Sequence, residues 1–203
     1  KPIVLFYNSK KDPFSEKTIR NGLSYAIPDE IKKAYVKADG PLPKTSWYFH
    51  GNLKEYSENR AQAETYLSDL INKESTLSSS FKIRLDTLPP YRDLAEKIAS
   101  SWSQLGIKTQ VNETSSILPD YDVFLAAIEI SADPDQYYLW HSTQTGNISN
   151  FKNARIDKIL EDARQITDEK ERRAKYLEFQ RYLVEENPAF FLFYGKSYTV
   201  SRL

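Results

Sequence analysis

The sequence contains no cysteine, and this absence removes several classes of site at once. Without thiols the chain has no disulfide framework, no thiolate metal site and no cysteine nucleophile. Structural zinc, which is usually held by cysteine, is therefore not expected. The redox compartment stays open, because exported bacterial proteins also often lack cysteine.

Net charge, long apolar runs and repeats are lacking as well. Lysine plus arginine count 28 and aspartate plus glutamate count 28, so no excess charge favours nucleic acid, an anionic membrane or a basic partner. No segment approaches the ~18 apolar residues of a membrane span, and the start from Lys1 to Tyr7 has no signal-cleavage region. No repeat with a period of about 20 to 50 residues is visible, which disfavours solenoids and propellers.

The apolar residues that are present suffice for a folded core. A chain of 203 residues with a hydrophobic share of 40% forms one substantial core or one lobe of a larger protein. Strand-like and helix-like segments alternate, which is typical of an α/β fold. Predicted strands cover 3–7, 81–85, 107–112, 121–130 and 190–194. Predicted helices run from a Ser15 cap to about 27 and over about 61–72, 91–105, 154–167 and 169–186, with Asp168 as a cap and Gly106 as a stop.

The stretch from Asp120 to His141 carries the strongest functional signal. Its apolar run from Val123 to Ile130 is typical of a strand that is covered on both faces. The loop that follows holds two carboxylates, two tyrosines, a tryptophan and a histidine. Because ligands gather at the carboxyl ends of strands in open α/β sheets, this loop is predicted to contact a ligand.

The same loop residues also have purely structural interpretations. Asp133 and Asp135 fit an Asx turn at an Asp-Pro step. Tyr137 and Trp140 fit core packing, with at least one ring of the aromatic group expected to face a cleft. His141 fits local hydrogen bonding better than metal binding, since the chain holds one other histidine.

Several segments, taken in order, carry a resemblance to a known family. They are Asp133-Pro134-Asp135, the loop 147–153, the helical run 156–164, the segment Asn187-Pro188-Ala189-Phe190-Phe191-Leu192, and the early stretches 18–30 and 61–69. In this order they resemble the carboxy-terminal lobe of the extracellular solute-binding proteins of family 5, the peptide and nickel type receptors of ABC importers.

This resemblance implies the fold and the biological setting. The expected fold is α/β, a lobe like those of class II periplasmic binding proteins, with a mixed, mostly parallel sheet flanked by helices. Residues 1–203 are expected to be the carboxy-terminal ligand-binding lobe of a longer protein whose amino-terminal lobe is missing in cis. The implied protein is not an enzyme and uses no cofactor and no metal. It is expected to be an extracellular or periplasmic lipoprotein, membrane-anchored, that captures peptides or a related organic solute and binds permease subunits.

The resemblance also implies how ligand is held. In the family, the ligand lies between two lobes that close by a hinge motion, and the strand matching Val123 to Ile130 offers backbone groups to it. Peptide-binding members carry an aspartate at the position of Ile130, and Glu129 is one residue away, on the opposite face of a strand. Recognition of a free peptide amine is therefore in question. The predicted ligand-binding residues are Glu129, Ile130, Ser131, Asp133, Tyr137, Trp140, His141 and Asn150.

Three alternatives stay open at this point. A receptor of the same family could hold sugars by stacking on Trp140 and on the neighbouring tyrosines. A carbohydrate-acting enzyme could use Glu129 and Asp133 as an acid and base pair, although no Ser-His-Asp spacing or glycine-rich phosphate loop is present. A pure interaction domain would bind no small solute. The isolated lobe is expected to fold and to bind solute weakly.

Overall fold

The computed structural model describes residues 1–33, 35–76, 82–117 and 120–195. Its strands within these ranges are β1 (Pro2–Tyr7), β2 (Val36–Lys37), β3 (Ile83–Thr87), β4 (Thr109–Glu113), β5 (Val123–Ala127) and β6 (Ala189–Tyr194). Its helices are α1 (Lys17–Tyr25), α2 (Asp29–Lys33), α3 (Arg60–Thr76), α4 (Arg92–Ser103), α5 (Tyr137–Trp140), α6 (Ala154–Gln165) and α7 (Glu169–Glu186).

All six strands form one sheet in the order β2-β6-β1-β5-β3-β4. The pairings β3 with β4 and β3 with β5 are parallel, whereas β1 with β5, β1 with β6 and β2 with β6 are antiparallel. The expected mixed α/β architecture is confirmed. The expectation of mostly parallel pairing is wrong, because β1 runs against both of its neighbours through the middle of the sheet.

Two predictions about the central strands are confirmed. The apolar run of β5 lies between β1 and β3, where both of its faces are covered. The strands predicted on either side of the helix at about 91–105 form the parallel pair β3 and β4, with Ile83 beside Thr109 and Thr87 beside Glu113. The strand predicted for 121–130 is shorter than expected, since β5 ends at Ala127. The residues after Ala127 therefore belong to a loop and not to a strand.

Alternate residues of β1 divide the core into two layers, one on each face of the sheet. Ile3, Leu5 and Tyr7 pack against α1, α3 and α4. Val4 and Phe6 pack against α6 and α7 on the other face. The sheet is thus enclosed by helices on both sides, which leaves its two ends as the places where polar groups meet solvent.

Helix ends follow the predicted signals at Asp168 and Gly106 and depart from them at Ser15. The Asp168 side chain accepts a hydrogen bond from Glu171 N at 2.9 Å and caps α7 as predicted. Gly106 follows α4 with φ 84°, and Asn187 ends α7 with φ 50°, both in the left-handed region. Ser15 was predicted to cap α1, but its hydroxyl donates to Asp12 instead, and the cap position is Glu16.

Candidate ligand-binding edge

The carboxyl ends of four strands meet at one end of the sheet. We call this end the open edge: the carboxyl ends of β3, β4, β5 and β6, together with the start of β1. Thr114 N donates to Thr87 O at 2.9 Å and joins the ends of β4 and β3. Ile128 N donates to Pro2 O at 3.1 Å and joins the end of β5 to the start of β1. The loop that the sequence singled out as a ligand site begins at this edge, where ligands of open sheets gather.

Three of the predicted ligand-binding residues follow β5 directly at the open edge. Glu129 is exposed, and its carboxylate lies 2.8 Å from the Lys1 ammonium, whose hydrogen bond lowers the pKa of Glu129. Ile130 is half-buried and packs against the core layer of α6 and α7. Ser131 is exposed, and its hydroxyl donates to Asp133 O at 2.7 Å. Ile130 therefore directs its side chain into the protein, while Glu129 and Ser131 face solvent.

The backbone of this segment carries hydrogen-bonding groups for which the described residues offer no partner. Among the described residues, no hydrogen bond joins the backbone N–H or C=O groups of Glu129, Ile130 and Ser131 to a protein partner. Unpaired backbone groups at the end of a central strand are the groups with which an extended peptide main chain pairs. This row of three residues is the structural centre of the candidate site.

A carboxylate and an arginine fix the loop that follows. Arg172 donates from both terminal nitrogens to Asp133, at 2.9 and 3.1 Å, and this bidentate contact lowers the pKa of Asp133. Asp133 also accepts from Asp135 N at 2.8 Å, which is the Asx turn predicted as its structural interpretation. Asp135 in turn receives Arg164 Nε at 2.9 Å. The loop is thus anchored on α6 and α7.

The aromatic residues of the loop turn inward. Trp140 is 2% exposed and lies between Phe6 and Phe191, with ring centroids about 6 Å away. His141 is buried and contacts Thr143 through Nδ1. Of this group, Tyr138 is the exposed ring, at 59%. The structure therefore assigns Trp140 and His141 to packing, and sugar stacking on Trp140 does not fit this arrangement.

Tyr137 is half-buried between two partners. Its ring stacks on the His141 ring at 4.2 Å, and the Arg164 guanidinium lies 4.1 Å from its centroid. These contacts hold the ring beside α6.

Asn150 lies at the other end of the sheet from Glu129, Ile130 and Ser131. It has φ 51°, and its Nδ2 donates to Asn8 Oδ1 at 3.1 Å, just beyond the carboxyl end of β1. We call this end of the sheet the closed edge. The chain crosses one face of the sheet between residues 131 and 150, so Asn150 and Glu129 end at opposite edges.

Other residues of the open edge were missed by sequence reasoning. Lys1 forms an ion pair with Glu129, and Thr87 and Thr114 are hydrogen-bonded where β3 and β4 end. Val36, 66% exposed, lies beside Tyr194 where β2 pairs with the end of β6. Each of these residues lies at or next to the end of a strand, and that position could have identified them in the sequence. The prediction considered the end of the strand at 121–130 alone.

Metal binding and membrane crossing find no support within the described ranges. No group of three or more histidine, aspartate or glutamate side chains there is arranged to hold a metal ion. None of the helices in the part of the chain that the structure describes combines the length and apolarity that crossing a bilayer requires.

The chain is similar in sequence and in structure to known proteins. The sequence model of the family described as bacterial extracellular solute-binding proteins, family 5 Middle, matches residues 2–150. The chain belongs to this family. The chain is 27% identical to the oligopeptide-binding protein AppA of Bacillus subtilis. The aligned region covers 97% of the chain and 42% of that relative. The structure of that protein in complex with a nonapeptide superposes with a TM-score of 0.83, covering 95% of this chain and 44% of that one.

Two further relatives are named for, or were solved with, different ligands. Heme-binding protein A of Haemophilus influenzae is 26% identical over 90% of the chain and 37% of its own length. The periplasmic binding protein DppA of Helicobacter pylori, solved with the peptide STSA, has a TM-score of 0.82 at 25% identity and covers 94% of this chain and 41% of that one. The chain thus spans about two fifths of the length of the relatives it matches.

Proposed function

We propose that residues 1–203 form the carboxy-terminal lobe of a peptide receptor that serves an ABC importer. The names of the AppA and DppA relatives, and the peptides bound in their structures, support a peptide as the solute. The share of those relatives that the chain spans, about two fifths, supports a second lobe in the same protein. The ligand then lies between the lobes and is enclosed when they close.

The observation that carries this proposal is the unpaired backbone from Glu129 to Ser131 at the open edge. A peptide that pairs with this row gains main-chain hydrogen bonds that do not depend on its side chains. Glu129 already pairs with Lys1, and Ile130 offers no carboxylate. We therefore expect affinity to depend on peptide length and backbone rather than on a free amino terminus.

The direct test is a backbone substitution in the full-length protein. Ser131→Pro removes one N–H donor from the row, and Ser131→Ala is the matched control, because both lose the hydroxyl contact to Asp133 O. We expect the proline variant to lose about tenfold or more in peptide affinity, since a backbone donor to the ligand is lost. The alanine variant should stay within a few-fold of the parent by calorimetric titration. Equal affinities in both variants would exclude backbone pairing at this row.

A different solute is the second candidate, favoured by the heme-binding relative. A ligand screen of the full-length protein by thermal shift separates the two. A ligand at ~100 times its dissociation constant adds about 2.7 kcal/mol of stability, which such a screen detects readily. A shift with heme and none with peptides would replace the peptide proposal.

Catalysis by Glu129 and Asp133 is disfavoured by their partners. A glycosidase needs one carboxyl group with a raised pKa so that it carries a proton at neutral pH. Lys1 and Arg172 instead lower the pKa values of Glu129 and Asp133, so both side chains are ionised. Non-covalent capture fits these two carboxylates better.

The cellular setting belongs to the same proposal. The family is named for extracellular proteins, and we place this receptor outside the cytoplasmic membrane, held there by a lipid anchor. Its partners are the permease subunits of the importer and the amino-terminal lobe in cis. Import of a radiolabelled peptide by cells with and without the gene tests this setting, and unchanged uptake in the deletion strain would argue against it.

A further inference from the structure

A polar depression lies at the closed edge, away from the candidate peptide site. Ser9 and Lys10, directly after β1, form one wall, and the loop from Ser142 to Lys152 forms the other. Its volume is about 430 Å³, within the range of small-molecule sites. The six residues of β1 separate it from the open edge by roughly 17 Å. A molecule in this depression would therefore not touch the unpaired backbone row.

The charged side chains that line this depression are positive. Lys10 and Lys152 are exposed and line it, and its described lining includes no carboxylate. Neither lysine forms an ion pair with a described residue. The neighbouring Lys11 differs, because its ammonium is 2.6 Å from Asp122 and 3.1 Å from Asp120. Two unpaired cations around one concave surface favour an anionic occupant.

Two serine hydroxyl groups are buried in the walls. The Oγ atoms of Ser9 and Ser142 are buried, and neither has a hydrogen-bond partner among the described residues. Their backbones are fixed, since Ser9 N donates to Ser149 O and Ser142 N donates to Asp157 Oδ1, both at 2.8 Å. A turn about χ1 therefore redirects each hydroxyl without moving the chain. Buried polar groups are normally satisfied, so these two donors require an acceptor.

The floor of the depression is rigid. Asn147 is buried, and its Nδ2 donates to Phe151 O at 2.8 Å while its Oδ1 accepts from Ser149 Oγ. Asn150 bridges to Asn8 across the two walls. These bonds use the amide groups for structure and leave the serines and lysines for a ligand. A rigid supporting shell with free polar groups is what a binding site requires.

We propose that this depression binds a small hydrophilic anion that carries a carboxylate or phosphate group. Lys10 and Lys152 supply the positive charge, and Ser9 and Ser142 donate hydrogen bonds to the anionic oxygens. Binding here is separate from peptide capture at the open edge and stands whether or not the solute there is a peptide.

The test is calorimetric titration of the full-length protein with inorganic phosphate, glycerol 3-phosphate and citrate at low ionic strength. We expect saturable binding of at least one probe at one site, weakened by added salt because lysine contacts are screened. In the double variant Lys10→Gln, Lys152→Gln the affinity should fall about tenfold or more, and Ser142→Ala should weaken it several-fold. Absence of binding by all three probes would overturn the proposal.

The matched control is Lys97→Gln, Lys108→Gln, which removes two exposed lysines from α4 and from the segment before β4. It changes the net charge equally and should leave anion affinity unchanged. Equal loss in both double variants would mean a general charge effect and would exclude the site. Peptide affinity is the separate readout. It should be unaffected in the Lys10 and Lys152 variant, and a change there would place these lysines in the peptide site and contradict the proposal.

Discussion

The two edges of the sheet differ in how their backbone and side chains are satisfied. At the closed edge, Tyr7 N donates to Pro188 O, and Asn8 N donates to Asp122 O, so three strands are tied together. At the open edge, the backbone groups of Glu129, Ile130 and Ser131 have no partner among the described residues, and Glu129 and Lys1 form an ion pair in solvent. Backbone pairing thus serves stability at the closed edge, where the proposed anion contacts are side chains, whereas at the open edge the backbone itself is left for recognition.

The largest expected effect lies beside the closed edge, at a buried arginine. Arg20 is 1% exposed, and its guanidinium donates to the carbonyls of Phe14, Ser15, Glu186 and Asn187 at 2.8–3.0 Å. Arg20→Met leaves these acceptors unpaired and should cost on the order of 3 kcal/mol or more in the free energy of unfolding. Urea denaturation of the full-length protein measures this loss.

The control for that prediction lies on the same helix. Lys17 is partly exposed and pairs with Glu186 at 2.8 Å, so Lys17→Met removes an ion pair from the same region. A surface pair of this kind contributes less than about 1 kcal/mol. If both substitutions cost the same, the buried arginine would not be the stabilising element, and the contrast between the edges would weaken.

A smaller effect is expected from Asn8, which links the two sides of the closed edge. Its Nδ2 donates to Tyr121 O at 2.8 Å, and its Oδ1 accepts from Asn150 Nδ2 at 3.1 Å. Asn8→Ala should cost about 2 kcal/mol, because a buried carbonyl and an amide each lose a partner. Peptide affinity should not change. A loss of peptide affinity without loss of stability would show that the two edges are coupled.

The smallest effect on stability belongs to the open edge and depends on pH. Arg172 holds the folded-state pKa of Asp133 below its ordinary value of 3.8. The pair therefore stabilises the fold above that value, and its contribution disappears as the pH falls through the lowered pKa. Because Asp133 is 56% exposed, Asp133→Asn should cost less than about 1 kcal/mol at pH 7.

Thermal unfolding of the parent and of Asp133→Asn between pH 7 and pH 2 measures this contribution. The difference in Tm should shrink on the acid side of pH 3.8. Glu129→Gln is the comparison. Because the Glu129 side chain is exposed, losing its ion pair with Lys1 should leave Tm unchanged. A Tm difference for Asp133→Asn that is constant across this pH range would contradict the role of the Arg172 contact.

Much of the architecture followed from local sequence signals. The apolar runs of β1, β5 and β6, the cap at Asp168 and the stop at Gly106 produced the predicted elements, because burial and capping are decided by near neighbours. The direction of pairing was missed, since antiparallel contacts of β1 with β5 and β6 join residues more than a hundred positions apart. Nothing in a local pattern encodes such pairing.

The candidate site was predicted in part. Glu129 and Ser131 lie at the open edge, because a loop after a buried strand must emerge there. Trp140 and His141 were placed beside them by proximity in sequence, whereas the chain turns back over the sheet and buries both. Asn150 lies at the other edge for the same reason. Sequence spacing predicted where the chain leaves the sheet but not the path that it takes afterwards.

The contact between Gly195 and Lys1 has a consequence for protein engineering. Gly195 N donates to Lys1 O at 3.0 Å, so the residues that flank the paired strands β1 and β6 are hydrogen-bond neighbours at the open edge. A short linker can join adjacent ends of two paired strands, so we expect that the lobe can be permuted at this point or inserted through it into a loop of a host protein. In such a transplant, any rearrangement of the lobe would be transmitted to the host through two strands that lie side by side.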